Sequence, residues 1–82
     1  MQKLNILIVE DGRSQREMLR DFLISEGHRV AEAENGEAAI KTVSSHHFDL
    51  ILLDYKSSAQ TLQLIQQRLF ALCGRHVVRQ IR

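Results

Sequence analysis

The sequence predicts an α/β protein: a parallel sheet of three or four strands, helices on both faces, and an amphipathic helix in the C-terminal third. Two short runs, LNILIV at 4–9 and LILL at 50–53, are Leu-rich or β-branched and too short for ordinary helices, so they read as strands covered on both faces. Between them helical and strand-like spacings alternate, giving the order β-α-β-α-β. That order calls for right-handed crossovers, and parallel strands bring all their carboxyl ends to one edge.

The first strand ends where Glu10, Asp11 and Gly12 interrupt the apolar run. From Ser14, apolar residues recur at Met18, Leu19, Phe22 and Leu23 with Arg and Glu between them, which predicts an amphipathic helix to about Glu26. Ser14 and Glu17 have the spacing of a capping box, and Gly27 is the stop signal. HRVAEAEN, with Val30, Ala31 and Ala33 set among charges, reads as the second strand. Asn35-Gly36 then turns the chain into a second helix over Glu37 to about Ser45, with Ala38, Ala39, Ile40 and Val43 available to face the sheet. The third strand, LILL, runs directly into Asp54.

The chain changes character near residue 57. Residues 1–56 hold seven Lys/Arg and ten Asp/Glu, whereas 57–82 hold four Arg and no acid. At 100° per residue, Leu62, Ile65, Leu69, Leu72 and Cys73 fall on one broad face, with the arginines in a neighbouring stripe. The pattern predicts a third helix from about Ala59 to Leu72, with Leu62, Ile65, Leu69 and Leu72 as its packing or dimer-forming face. Gly74 leaves two continuations open. As a terminator it releases RHVVRQIR as a fourth strand, the favoured reading; as an interior glycine it lets one long helix continue.

Eighty-two residues make one small domain with a limited core, so a second copy is expected to help cover it, and a homodimer is the expected state. No apolar run approaches the roughly 18 residues of a membrane span, and the N-terminal stretch lacks the pattern of a signal peptide. The single cysteine, Cys73, allows no internal disulfide, which fits a reducing, cytoplasmic setting. His28, His46, His47 and His76 show no metal-ligand spacing and read as solvated positions. Four tail arginines without interleaved aromatics, at a pI near 8.0, are too thin a footprint for nucleic-acid binding.

Chemistry enters with the acids. Parallel strands bring Glu10 and Asp11, after the first strand, to the edge where Asp54 ends the third, and that edge is where open α/β sheets bind ligands. Converging carboxylates repel, so at least one should take up a proton unless a cation sits between them. Mg2+ prefers oxygen ligands, and beside it a carboxylate can act as nucleophile toward a phosphoryl group. No base-activated Ser or Cys arrangement and no phosphate-cradling glycine loop accompanies the acids, so enzymatic catalysis beyond self-phosphorylation is not expected.

Residues 4–56 resemble the receiver domain of two-component response regulators. The resemblance is carried by Glu10-Asp11, Arg16 and Leu19 on the first helix, Gly27 before Val30, AENGEAA at 33–39 and DLILLD at 49–54. It implies a flavodoxin-like fold, Asp54 as phosphoacceptor, and a Mg2+ site made by Asp11, Glu10 partly through water, Asp54, and the backbone carbonyl of Lys56. It also implies a histidine kinase or phosphotransfer protein as donor. Whole receivers are longer, which makes this a single truncated receiver-like domain with a divergent amphipathic basic tail at 57–82. The family's Met-Pro turn after the acceptor has no counterpart in a chain without proline. Its downstream phosphate-contacting lysine has none either, because the only lysines are Lys3, Lys41 and Lys56. Two other readings therefore stand beside signalling: a dimerisation or interaction module on a receiver fragment, natural or engineered, with a relic acidic pocket; and a product of truncation or recombination with no evolved function.

Overall fold

The computed structural model describes residues 3–54, 59–73 and 76–79; for Ala59, Thr61, Leu62, Cys73 and the segment 76–79 it describes backbone only. Four strands form one parallel sheet: β1 (Asn5–Val9), β2 (Arg29–Ala33), β3 (Leu50–Leu53) and β4 (His76–Arg79), in the order β2-β1-β3-β4. The two apolar runs are thus the two central strands. Ile6, Leu7, Ile8, Val9, Ile51 and Leu53 are all essentially inaccessible. The strands at the two edges, β2 and β4, are those with charge in their sequence, where one side of the ladder can meet water.

Helix α1 (Arg13–Ser25) starts one residue earlier than its spacing suggests, and its first turn is built differently. The expected capping box does not form. Gly12 is the N-cap, with no side-chain cap bond, while Glu17 pairs with Arg13 at 3.1 Å. Ser14 lies inside the helix, two residues past the N-cap position from which a hydroxyl serves the leading N–H groups. The other end follows the sequence closely. Gly27 takes φ +95°, donates to the Ile24 carbonyl at 2.9 Å, and His28 donates to the Leu23 carbonyl at 3.1 Å. That pair of bonds is a Schellman stop, which a residue with a Cβ occupies only under strain.

Helix α2 (Gly36–Ser45) is capped by Asn35, whose side-chain oxygen accepts from the Ala38 N–H at 2.8 Å. Helix α3 (Ala59–Cys73) stops before residue 74, and the chain continues as β4 beside β3, the favoured of the two continuations. Gly74 itself lies outside the described residues.

The two faces of the sheet are covered unequally. On one, Leu7, Val9, Ile51 and Leu53 meet Ala39 and Val43 of α2, Leu69 of α3, and Phe48, with Ala38, Ile40 and Ile65 packed around them. The other face carries Ile6 and Ile8, alternate residues of β1, and α1 packs on β1 and β2. Of the apolar residues expected to face the sheet from α1, Leu19 and Leu23 are half-buried while Met18 and Phe22 are exposed. Arg16 and Arg20 reach Glu32 on β2, while Met18 and Phe22 lie on a flank that no described element covers.

Candidate functional site

Parallel register brings two acids together before any side chain is considered. Val9 of β1 pairs with Leu53 of β3, so the next residues, Glu10 and Asp54, leave the sheet side by side. Neighbouring strands lie about 4.8 Å apart. The Asp54 N–H donates to the Val9 carbonyl at 2.8 Å, and the Glu10 N–H to the Ala33 carbonyl at 3.0 Å, so the ladder extends one bond past each strand. Both acids are buried, Glu10 at 0% and Asp54 at 7% exposure. Withdrawing two carboxyl groups from water is costly unless polar or ionic partners meet them.

Asp11 follows at the rim and is exposed. Gly12 keeps the turn compact: a Cβ there would stand 3.1 Å from Gln15 Oε1 and 3.3 Å from Glu10 Oε1, so the Glu10 carboxylate occupies space that a side chain would claim. Lys56 lies outside the described residues. Of the tail positions, Leu69 is fully buried in this chain's own core and Ile65 is packed against it, whereas Leu72 is half-exposed; the Leu62 side chain lies outside the described residues.

Among the described residues, the acids at this edge, Glu10, Asp11 and Asp54, offer oxygen donors. That is the chemistry of a hard divalent cation such as Mg2+, which is commonly held by one or two carboxylates while keeping several waters. Glu10, Asp11 and Asp54 carry the carboxylates such an ion would need, but among the described residues no group of three or more His, Cys, Asp or Glu side chains is placed to hold a metal ion, so these three are not gathered into a ready site.

A set of charges beside the acids was not foreseen from the sequence. Arg16 donates from Nη1 to the Glu10 carbonyl at 2.9 Å and from Nε to Glu32 at 3.1 Å, and Arg20 donates to the other Glu32 oxygen at 3.2 Å. Bonds to Asp21 first and Glu32 second raise the pKa of Arg20. The available signal was the i, i+4 pair Arg16 and Arg20 on a helix whose sheet neighbour, β2, carries one acid, Glu32.

With this geometry in place, the family model described as response regulator receiver domain matches residues 6–68, most of the chain, running past Asp54 into α3. The chain belongs to the receiver-domain family. Among relatives of this receiver domain, the chemotaxis protein CheY of Bacillus subtilis (strain 168) is 44% identical over 50 residues, 60% of this chain and 42% of that protein. The chain thus spans less than half of that relative. Among solved structures, the chemotaxis protein CheY4 of Vibrio cholerae superposes with a TM-score of 0.83 at 21% identity, covering 95% of this chain and 68% of that one. That likeness establishes the flavodoxin-like receiver fold. The response regulator protein TrrA of Thermotoga maritima superposes at 0.66 with 25% identity, over 95% of this receiver and 88% of that chain. Among the described residues no helix is long and apolar enough to cross a membrane.

Proposed function

We propose that this receiver domain accepts a phosphoryl group on Asp54 in a Mg2+-dependent step of two-component signalling. The observation that carries the reading is the buried pairing of Asp54 with Glu10 at the carboxyl edge of the two central strands. In the step, an Asp54 carboxylate oxygen attacks phosphorus in line. The bond from phosphorus to the donor breaks, a P–N bond for a phosphohistidine or a P–O bond for a small acyl phosphate, and its electron pair leaves with the donor. The product is an acyl phosphate on Asp54.

The chain's part in this is positioning. The Asp54 backbone is fixed by its bond to Val9, so the carboxylate starts from a set position at the sheet edge. Asp11 offers its carboxylate at the rim, Glu10 acts from beneath, in part through water, and the Lys56 carbonyl is the remaining ligand of the set. When bound, Mg2+ neutralises charge on the transferring group. The TrrA structure is a complex with Mg2+ and BeF, which supports the assignment by likeness. The donor we infer is a histidine kinase or a phosphotransfer protein, the setting cytoplasmic, and the assembled state a homodimer. Exposed Met18, Phe22 and Ile24 on α1 and Leu64, Phe70 and Leu72 on α3 support the last.

These same exposed side chains favour the interaction-module reading. Incubation with acetyl phosphate and Mg2+, followed by intact mass, separates the two. Gain of one phosphoryl group by the wild type, lost on chelating Mg2+ and in Asp54→Asn, is expected of the acceptor. An unmodified wild-type mass overturns the acceptor and leaves the readings without phosphoryl transfer, the interaction module first among them.

A further inference from the structure

Arg16 holds the acidic turn from two directions. Its backbone N–H donates to the Gly12 carbonyl at 2.9 Å, the first bond of α1, while its guanidinium donates to the Glu10 carbonyl at 2.9 Å. Asp11 lies between the two carbonyls so held. The guanidinium is in turn fixed from its other edge by Glu32, whose second oxygen is taken by Arg20. Arg16 is mostly buried, with 17% of its side chain accessible, so this is a constrained fork and not a waving surface charge.

We infer that Arg16 is a positioning residue for the acidic pair, clamping the 10–12 turn so that Glu10 and Asp11 stand ready for the cation before it arrives; this rests on the Mg2+ reading of the pocket given above. The physical reason lies in the turn itself. A carboxylate at an exposed rim, beside a glycine, is otherwise free to wander, and each conformer away from the cation weakens binding. Arg16 removes that freedom by tying backbone, leaving the carboxylate oxygens to the metal. Glu32 acts one step further out: it neutralises a cation that would otherwise compete with Mg2+ for the same acids and aims its fork at the carbonyl. A lysine in place of Arg16 has one ammonium and no fork, so it serves Glu32 or the Glu10 carbonyl but not both in this geometry.

The test compares the wild type with Arg16→Met, Arg16→Lys and Glu32→Gln, following the Asp11 and Asp54 amide resonances during Mg2+ titration. Loss of an orienting partner of a metal ligand typically weakens metal binding about 10- to 100-fold, and that range is expected for Arg16→Met, with smaller losses for the other two. A second readout uses no metal. Backbone ^15N relaxation in the Mg2+-free protein should show increased motion at residues 10–12 in Arg16→Met, with β1 and β3 unchanged; general destabilisation would loosen the sheet as well. Mg2+ binding by Arg16→Met as tight as the wild type's, or an unchanged turn, overturns the positioning role. Should Arg16→Met fail to fold, Arg16→Lys and Glu32→Gln carry the same comparison. A wild type without saturable Mg2+ response instead overturns the metal reading, and the purpose assigned to Arg16 falls with it.

Discussion

The two faces of this sheet differ in what holds them. The face under α2 and α3 is closed by interlocking side chains over Leu7, Val9, Ile51 and Leu53 of both central strands, whereas on the other face only Ile6 and Ile8 of β1 are inaccessible among the described residues. On the face under α1, the helix leans toward β2 through Arg16 and Arg20, Leu50 and Leu52 of β3 are only half-buried, and Met18 and Phe22 stand in solvent. Glu10 and Asp54 continue the register of Ile8 and Leu52, the strand positions of the α1 side. Stability is therefore concentrated on one face, while the acids belong by register to the other. The sharpest way to break this comparison is Leu69→Ala, which empties a fully buried site on the closed face. Truncating a buried leucine costs about 2–5 kcal/mol. Against a total on the order of 5–15 kcal/mol, that is enough to shift a urea midpoint far or to unfold the domain. A Leu69→Ala midpoint close to the wild type's would show that α3 does not close the core.

Backbone stops should rank next, since they set where each helix meets the sheet. Gly27→Ala puts a Cβ on a residue at φ +95°, where nothing lies within 4 Å of it, so the whole cost is conformational. About 1–2 kcal/mol is expected. Asn35→Ala removes the bond to the Ala38 N–H and should cost about 1 kcal/mol, in the range of lost N-caps. Thermal melts of both variants check the order. A larger loss for Asn35→Ala would place more weight on α2's start than its single cap bond explains.

The elements most readily read from sequence were those whose local chemistry and tertiary role agree. LILL and LNILIV are strands by composition and centre strands by position, Gly27 stops α1 by the φ it alone adopts cheaply, and Ala39 and Val43 face the sheet as their spacing requires. That Glu10 and Asp11 share an edge with Asp54 followed from parallel order, whereas Glu10 directly beside Asp54 depends on the adjacency and register of β1 and β3. What escaped depended on contacts between segments distant in sequence. Arg16 and Arg20 of α1 meet Glu32 of β2, and no helical periodicity encodes an ion pair to a strand. The missing capping box has the same character. Ser14 and Glu17 had the right spacing, but the chain leaving β1 at Glu10 enters the helix at Gly12, before Ser14 can cap it. Leu69 shows the converse: as one of several leucines on an amphipathic stripe it was a candidate for packing or for an interface, and only the fold assigns it to the core of its own chain.

The smallest effect on stability is expected on the open face. Met18 and Phe22, 66% and 59% exposed, lie one turn apart on α1, and glutamine at both positions keeps helix propensity while removing apolar surface. Each substitution should change stability by no more than about 0.5 kcal/mol, because little is buried to lose. Association is a different matter. If a second copy covers this flank, the paired substitution Met18→Gln with Phe22→Gln weakens the dimer in sedimentation equilibrium while the monomer melts almost unchanged, the reverse of Leu69→Ala. A dimer that persists in the paired variant moves the interface to the Leu64, Phe70 and Leu72 side chains of α3, and a wild type that sediments as a monomer at micromolar concentration removes the homodimer altogether. A drop of several kcal/mol in the stability of the paired variant would mean that α1 is packed more tightly than its exposure implies, and the contrast between the two faces would fail.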